Sequence, residues 1–194
     1  MGEVIICCNF ANHNNKVAFL TMNHMIEDFK LDNIFGERLL ISTRADQSEL
    51  LDNIRAARIL LSYFDDMYIQ INEHLMTIGH KNPEYTINGK LADRKGLESE
   101  DGIKSAFRKA KIQGCQTIVL DFDMHMPDFP LKTRKIANGL YGRHEDFMNN
   151  CISECYIIHQ NKAILITSDL FFEDNKDKVK NKLIAVLEKI RDIT

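Results

Sequence analysis

Glu84, Asp93 and Lys95 are the residues whose types and spacing point most directly to chemistry. Eight residues separate the two acids, and Asn88-Gly89 stands in the middle of that interval. Asn-Gly between two β-prone runs is the signature of a two-residue type I′ hairpin, whose turn needs positive φ at both central positions. A two-residue loop sets the register: Ile87 faces Lys90, Thr86 faces Leu91, Tyr85 faces Ala92 and Glu84 faces Asp93. Opposed residues share a face with Cβ atoms about 5 Å apart, and Lys95, two residues past Asp93, returns to that face. Facing carboxylates can hold Mg²⁺ through oxygen ligands. A neighbouring ammonium can orient a nucleophile or neutralise a phosphate. The chemistry such a group could do is phosphodiester hydrolysis, which needs a metal or cation on the phosphate and a base near the attacking water. The competing reading is an exposed hairpin that carries ordinary charges.

The surrounding elements must position these three side chains. A helix is expected over Asp46–Tyr63, where Leu50, Ile54, Ala57 and Leu61 recur at helical spacing and Asp46 or Ser48 can cap. Met67, Ile69 and Ile71 alternate with polar residues as in a half-buried strand. After the hairpin, residues 100–112 read as a helix with Ile103, Phe107 and Ala110 inward, Ser99 as N-cap and Gly114 as the stop. Thr117–Asp121 is an apolar strand expected to be buried on both faces. Residues 46–121 therefore run helix, strand, strand, strand, helix, strand. Thr133–Asn149 follows as a helix, Cys155–Ile158 and Ala163–Thr167 as a hairpin around Gln160-Asn161-Lys162, and Asp177–Arg191 as an amphipathic helix. Ahead of this block, Val4–Cys7, Lys16–Thr21 and Leu39–Ser42 read as strands, and Met25–Phe29 as a helical turn. The expected organisation is an N-terminal extension or lobe, 1–45, and an α/β domain, 46–194. The class is α+β (or α/β) with a mixed β-sheet. Ile54, Leu61, Ile69, Phe107, Val119 and Leu120 are the expected core.

Two resemblances follow from these residues. Pro83-Glu84, eight residues, then Asp93-Arg94-Lys95 resembles the PD-(D/E)XK nuclease pattern, and the element order resembles that nuclease core. This resemblance implies a Mg²⁺-dependent DNase with metal ligands Glu84 and Asp93, and Asp121 as a third acid. A wider run, Leu50–Lys95 followed by Ser99–Asp121, resembles the CdiA C-terminal tRNase-like group of the barnase–EndoU–colicin–RelE superfamily. That group occurs in contact-dependent inhibition toxins and in phage and mobile-element proteins. The pieces that carry the likeness are Asn82-Pro83-Glu84, Asn88-Gly89-Lys90, Ala92-Asp93-Arg94-Lys95, Lys109-Ala110-Lys111-Ile112-Gln113-Gly114 and Ile118-Val119-Leu120-Asp121. It implies cleavage of RNA, typically tRNA, by acid–base chemistry at Asp93, Lys95 and Glu84 without a metal or other cofactor. The first 45 residues fall outside the likeness, and no toxin delivery region stands ahead of the domain in these 194 residues. RNA cleavage is the leading expectation and the metal-dependent DNase the alternative. A third reading is a non-enzymatic module that keeps the fold and binds nucleic acid or a protein partner in a mobile-element system.

Other residues can be weighed beside this group. Metal-independent RNases use His, Tyr, Thr or Arg around the 2′-hydroxyl; the candidates are His80, Thr117, His125, Arg143 and His144, and none is fixed by spacing. Arg94, Lys104, Arg108 and Lys111 are candidate phosphate contacts, in a basic set with Lys95 and Lys109 and with Lys132, Arg134 and Lys135 later; a solvated helix face is the plainer account. Asp121 and Asp123 form a D-x-D that simply ending a strand would also explain. Cys151, Cys155 and His159 read as small buried thiols and a neighbouring His rather than a zinc site, because a strand over Cys155–Ile158 would separate the ligands.

Composition bounds the class. The net charge of −3 gives no global basic footprint, so a nucleic-acid ligand would use a local patch. No run approaches the ~20 apolar residues of a membrane helix, and residues 1–10 lack the basic and apolar regions of a signal peptide. Five cysteines without framework spacing are expected to be reduced thiols, in keeping with a cytoplasmic protein.

Overall fold

The computed structural model describes residues 28–77, 79–125, 130–173 and 175–191. Eight strands form one mixed sheet: β1 Phe29–Asp32, β2 Gly36–Ser42, β3 Ile69–Ile71, β4 Tyr85–Ile87, β5 Lys90–Gly96, β6 Thr117–Asp121, β7 Glu154–His159 and β8 Lys162–Thr167. Each strand lies beside the next in sequence. The pairs β2–β3, β5–β6 and β6–β7 are parallel and the rest antiparallel. A parallel pair needs a long crossover. These are supplied by α1 (Leu50–Tyr63), α2 (Ile103–Gln113), and α3 (Thr133–Tyr141) with α4 (His144–Met148); α5 (Lys176–Leu187) follows β8. The expected helix–strand–strand–strand–helix–strand core is α1-β3-β4-β5-α2-β6. No helix among the described residues is long and apolar enough to cross a membrane.

Strand alternation divides the core in two. On one face Leu39, Ile69, Ile71, Tyr85, Ile87, Ala92, Val119 and Ile158 pack beneath Ala56, Ala57, Leu60 and Leu61 of α1. On the other, Ile118, Leu120, Cys155, Ile157, Ile164 and Ile166 pack beneath α2–α5, through Phe107, Ile136, Leu140, Phe147 and Leu183. All five residues of β6 are buried, as expected for a strand covered on both sides. The second face continues onto β1–β5, where Leu31 and Leu91 stay exposed.

Both hairpins close on two-residue turns. Asn88 and Gly89 have φ of 47° and 80°, and β4–β5 pairs Ile87↔Lys90, Thr86↔Leu91 and Tyr85↔Ala92. The β7–β8 turn is Gln160-Asn161, with φ of 49° and 57° and no glycine. Lys162 therefore pairs with His159 instead of sitting in the loop. The Asp123 carboxylate supports this strained turn by accepting the N–H groups of Gln160 and Asn161.

Several boundaries differ from the expectations. Residues 29–42, assigned to the N-terminal lobe, form β1 and β2 of the same sheet, and Leu39 is fully buried. Phe29 opens β1 and is not part of a helical turn; Val4–Cys7, Lys16–Thr21 and residues 25–27 lie outside the described residues. α1 starts at Leu50, because Asp46 turns the chain by accepting the N–H and hydroxyl of Ser48. Its buried stripe is rotated to Asn53, Ala56, Ala57, Leu60 and Leu61, leaving Leu50 and Ile54 half-buried. Asn53 is drawn inward by hydrogen bonds, its carbonyl accepting the Tyr85 hydroxyl and its side chain accepting Arg94 Nε. The helix expected over Thr133–Asn149 breaks at Gly142-Arg143. The break lets Phe147 turn inward against Phe107 and Phe171 while Leu140 stays buried.

Candidate active site on the β4–β5 hairpin

Glu84 precedes β4 and Asp93 and Lys95 lie on β5, so extending the observed register by one step sets Glu84 across from Asp93. The three side chains meet as the hairpin pattern predicts. Lys95 Nζ donates to Asp93 Oδ1 at 2.7 Å and to Glu84 Oε1 at 3.3 Å. The backbone N–H of Arg94 donates to Glu84 Oε2 at 3.2 Å. The Asp93 carboxylate is fully buried, and the Glu84 and Lys95 side chains are 18% and 21% exposed. Ile118 beside Asp93 and Leu120 beside Lys95 wall the group on the β6 side.

Two carboxyl groups share one ammonium in this buried group. Burial, reinforced by the neighbouring Asp93 carboxylate, pushes the Glu84 carboxyl up to about 8. Burial opposes the charge on Lys95, but Glu84 and Asp93 outweigh it and hold the ammonium above its usual range. Lys95 is thus a fixed cation and not a base at neutral pH. The buried Cys115 thiol feels the same field: burial first, then Asp93 and Glu84, push it up to about 12. It is therefore unsuited to act as a nucleophile.

Two carboxyl groups are the donor set a hard divalent cation would find here, and among the described residues no group of three or more His, Cys, Asp and Glu is placed to hold a metal ion. Two carboxylates face one ammonium, and Asp93 Oδ2 is buried without a hydrogen-bond partner. Mg²⁺ is commonly held by one or two carboxylates, with water and substrate phosphate completing its shell. Asp121, expected as a third metal ligand, does not join them. β5 and β6 pair Gly96 with Asp121, so Asp121 shares its face with Arg94 and points away from Asp93 and Lys95.

That opposite face holds a separate charged network. The Arg94 side chain is 1% exposed, and it donates to Asn53 Oδ1 at 2.7 Å and Asp121 Oδ2 at 3.1 Å, with Glu49 at 3.4 Å. Arg55 of α1 meets the same Asp121 oxygen at 2.5 Å. Arg94, a candidate phosphate contact, is therefore a buried brace between β5, β6 and α1, because the residue between two same-face strand positions must point the other way. That signal was already present in Asp93-Arg94-Lys95. The roles of Glu49, Asn53 and Arg55 were not legible: one polar residue inside an apolar helical stripe does not name its partner 41 or 66 residues away.

The remaining candidates scatter. Lys104, Arg108 and Lys109 are exposed on α2, whereas Lys111 is tied to Asp146 at 2.5 Å and Lys135 to Asp101 at 2.7 Å. Thr117 donates to Glu154, Arg143 lies 3.9 Å from Asp146, and the His144 ring contacts the Tyr141 carbonyl and stacks on its ring. His125 lies against Gly96, where a Cβ would come within 3.2 Å of its Nε2. Cys151 is exposed, while Cys155 and His159 are buried in the β7 region. His80 lines a cleft of about 480 Å³ together with Gln70, Asn72, Lys81, Pro83, Thr86 and Leu91, on the part of the second face where Leu31 and Leu91 are exposed; Pro83 adjoins Glu84 in the chain.

Neither a family model nor a curated protein sequence matches this chain. One chain of a solved structure, the "CdiA-CT/CdiI toxin and immunity complex from Burkholderia pseudomallei", is similar over 66% of this chain and 98% of its own. Its identity is 16% and its TM-score 0.46, levels at which no residue role transfers.

Proposed function

We propose that this protein is a metal-dependent nuclease of the PD-(D/E)XK kind, hydrolysing phosphodiester bonds of nucleic acid at Glu84, Asp93 and Lys95. The observation that carries this reading is the convergence of both carboxylates on one ammonium, on one face of a helix–strand–strand–strand–helix–strand core. Mg²⁺ bound there would supply Lewis-acid stabilisation of the phosphate and a water of lowered pKa. Glu84 and Asp93 would be its protein ligands. The Arg94 N–H and the Lys95 ammonium hold the Glu84 carboxylate in place. Lys95, kept charged by its two neighbours, can donate to a non-bridging phosphate oxygen or to the attacking water.

This reading replaces metal-free RNA cleavage as the leading one. Metal-free cleavage needs further acid–base groups beside the phosphate; Thr117, Arg143 and His144 are engaged elsewhere, and His80, in the neighbouring cleft, is the expected candidate that remains near the group. The test is incubation of the purified chain with total tRNA and with plasmid DNA, in Mg²⁺ and in EDTA. Cleavage in Mg²⁺ alone, lost in Asp93→Ala, is expected. Cleavage that persists in EDTA would return the acid–base mechanism, and cleavage unchanged in Asp93→Ala would put the chemistry elsewhere.

A further inference from the structure

The cleft beside Glu84 belongs to no part of the hydrolytic group, yet the ladder joins the two. Thr86, on β4, lies two residues beyond Glu84, Leu91 lies two from Asp93 on β5, and Thr86 and Leu91 are paired. Positions two apart on a strand share a face and are separated by about 6.6 Å. A phosphate at the carboxylates would therefore have its neighbouring nucleotide over Thr86 and Leu91. At about 480 Å³ the cleft lies in the range of small-ligand sites, roughly 300–1,000 Å³.

Its floor has the chemistry of base recognition. Asn72 Oδ1 accepts from Gln70 Nε2 and from Thr86 Oγ1, each at 3.0 Å, and Asn72 Nδ2 donates to the Pro83 carbonyl at 3.0 Å. These bonds fix the Gln70 amide while using one of its N–H groups. The second N–H and the carbonyl oxygen form the donor–acceptor pair that amides present to base edges. Leu91, 42% exposed, offers an apolar surface to a ring, and Lys81 at the cleft wall offers a cation to the backbone. Base edges are open to such groups when the strand is unpaired.

We propose that this cleft binds an unpaired nucleotide flanking the scissile phosphate, with Gln70 reading its base and Leu91 packing on the ring. The assignment rests on the nuclease reading for its position along the substrate. Single-stranded nucleic acid is then the substrate class, and duplex is bound only where it is frayed or opened.

The test uses Asp93→Asn protein in Mg²⁺, so that substrate survives, and fluorescence anisotropy of a labelled single-stranded RNA and DNA oligomer and of their duplexes. Single strands are expected to bind about tenfold tighter than duplexes, and Gln70→Ala or Leu91→Glu in that background to lose about tenfold. In the otherwise wild-type chain, Gln70→Ala should raise KM about tenfold while kcat stays within twofold. Thermal melts confirm that both variants fold. If wild type cleaves but single strand and duplex bind alike, or both variants bind like their parent, the cleft assignment is overturned and the nuclease reading stands. If wild type cleaves nothing yet single strands bind in a manner dependent on Gln70 and Leu91, the cleft stands and the nuclease reading falls.

Discussion

The two faces of β5 both bury charge, and they do so differently. On the α1 face, the guanidiniums of Arg94 and Arg55 both meet Asp121, with Glu49 and Asp123 at the margin. On the α2 face, the Asp93 carboxylate and the Glu84 carboxyl, raised to about 8, share the single ammonium of Lys95. A buried oxygen without a partner does not separate the two, since Asp121 Oδ1 and Asp93 Oδ2 both lack one. What differs is the partnering: two guanidiniums bracket Asp121, whereas one ammonium is shared by two adjacent carboxyl groups. Removing one member of a buried ion pair such as Arg94–Asp121 strands a charge and is strongly destabilising. Where two carboxyl groups share one ammonium, removing one lets the other take up the charge beside the ammonium, so the loss is smaller. The difference teaches which acids of one strand pair to regard as structural and which as chemical.

The largest expected contrast comes from one substitution on each face. Arg94→Met should lower stability by about 3–5 kcal/mol in urea melts, leaving Asp121 with half its partners. Asp93→Ala should abolish cleavage while changing stability by about 1 kcal/mol or less. A large stability loss in Asp93→Ala would make the α2-face group a second structural ion pair and erase the contrast. Lys95→Met comes next, with an expected fall in kcat of about 10²–10³-fold in single-turnover assays and a fold that is retained.

The third prediction concerns pH. The Glu84 carboxyl is raised from 4.5 to about 8 in the folded protein, so its proton is held more tightly than in the unfolded chain. Its stabilising contribution is complete below pH 4.5 and is lost as pH rises through about 8. Mg²⁺ competes for the same oxygens, so the gain in Tm on adding Mg²⁺ should be greater at pH 8.5 than at pH 6. Glu84→Gln should flatten that difference. An equal gain at both pH values would separate metal binding from Glu84. The smallest effects are expected at Lys104 and Arg108, where alanine should raise KM a few-fold and leave kcat and stability unchanged, as for backbone-positioning contacts.

Much of the chemical face was legible from short-range rules. Asn88-Gly89 sets the register, and the period of two then brings Glu84, Asp93 and Lys95 together with no tertiary information. The same period excludes Arg94 from that group, and applied to the parallel β5–β6 register it excludes Asp121. The parallel register itself was not legible, because the crossover through α2 leaves no local mark on it. Nor was the placement of β1 and β2 in the same sheet, since strand partners are chosen by long-range packing of residues such as Leu39. The cleft was missed for a related reason: Gln70, Asn72 and Thr86 come from separate segments and meet only when β3 and β4 pair.

The most direct measurement is the anomalous difference density of crystals soaked in Mn²⁺, a stand-in for Mg²⁺ at oxygen sites. A peak between the carboxylates of Glu84 and Asp93, absent in Asp93→Asn crystals, is the expected result. No peak there, or a peak at Asp121 and Asp123 instead, would contradict a metal-dependent hydrolytic site on the β4–β5 hairpin.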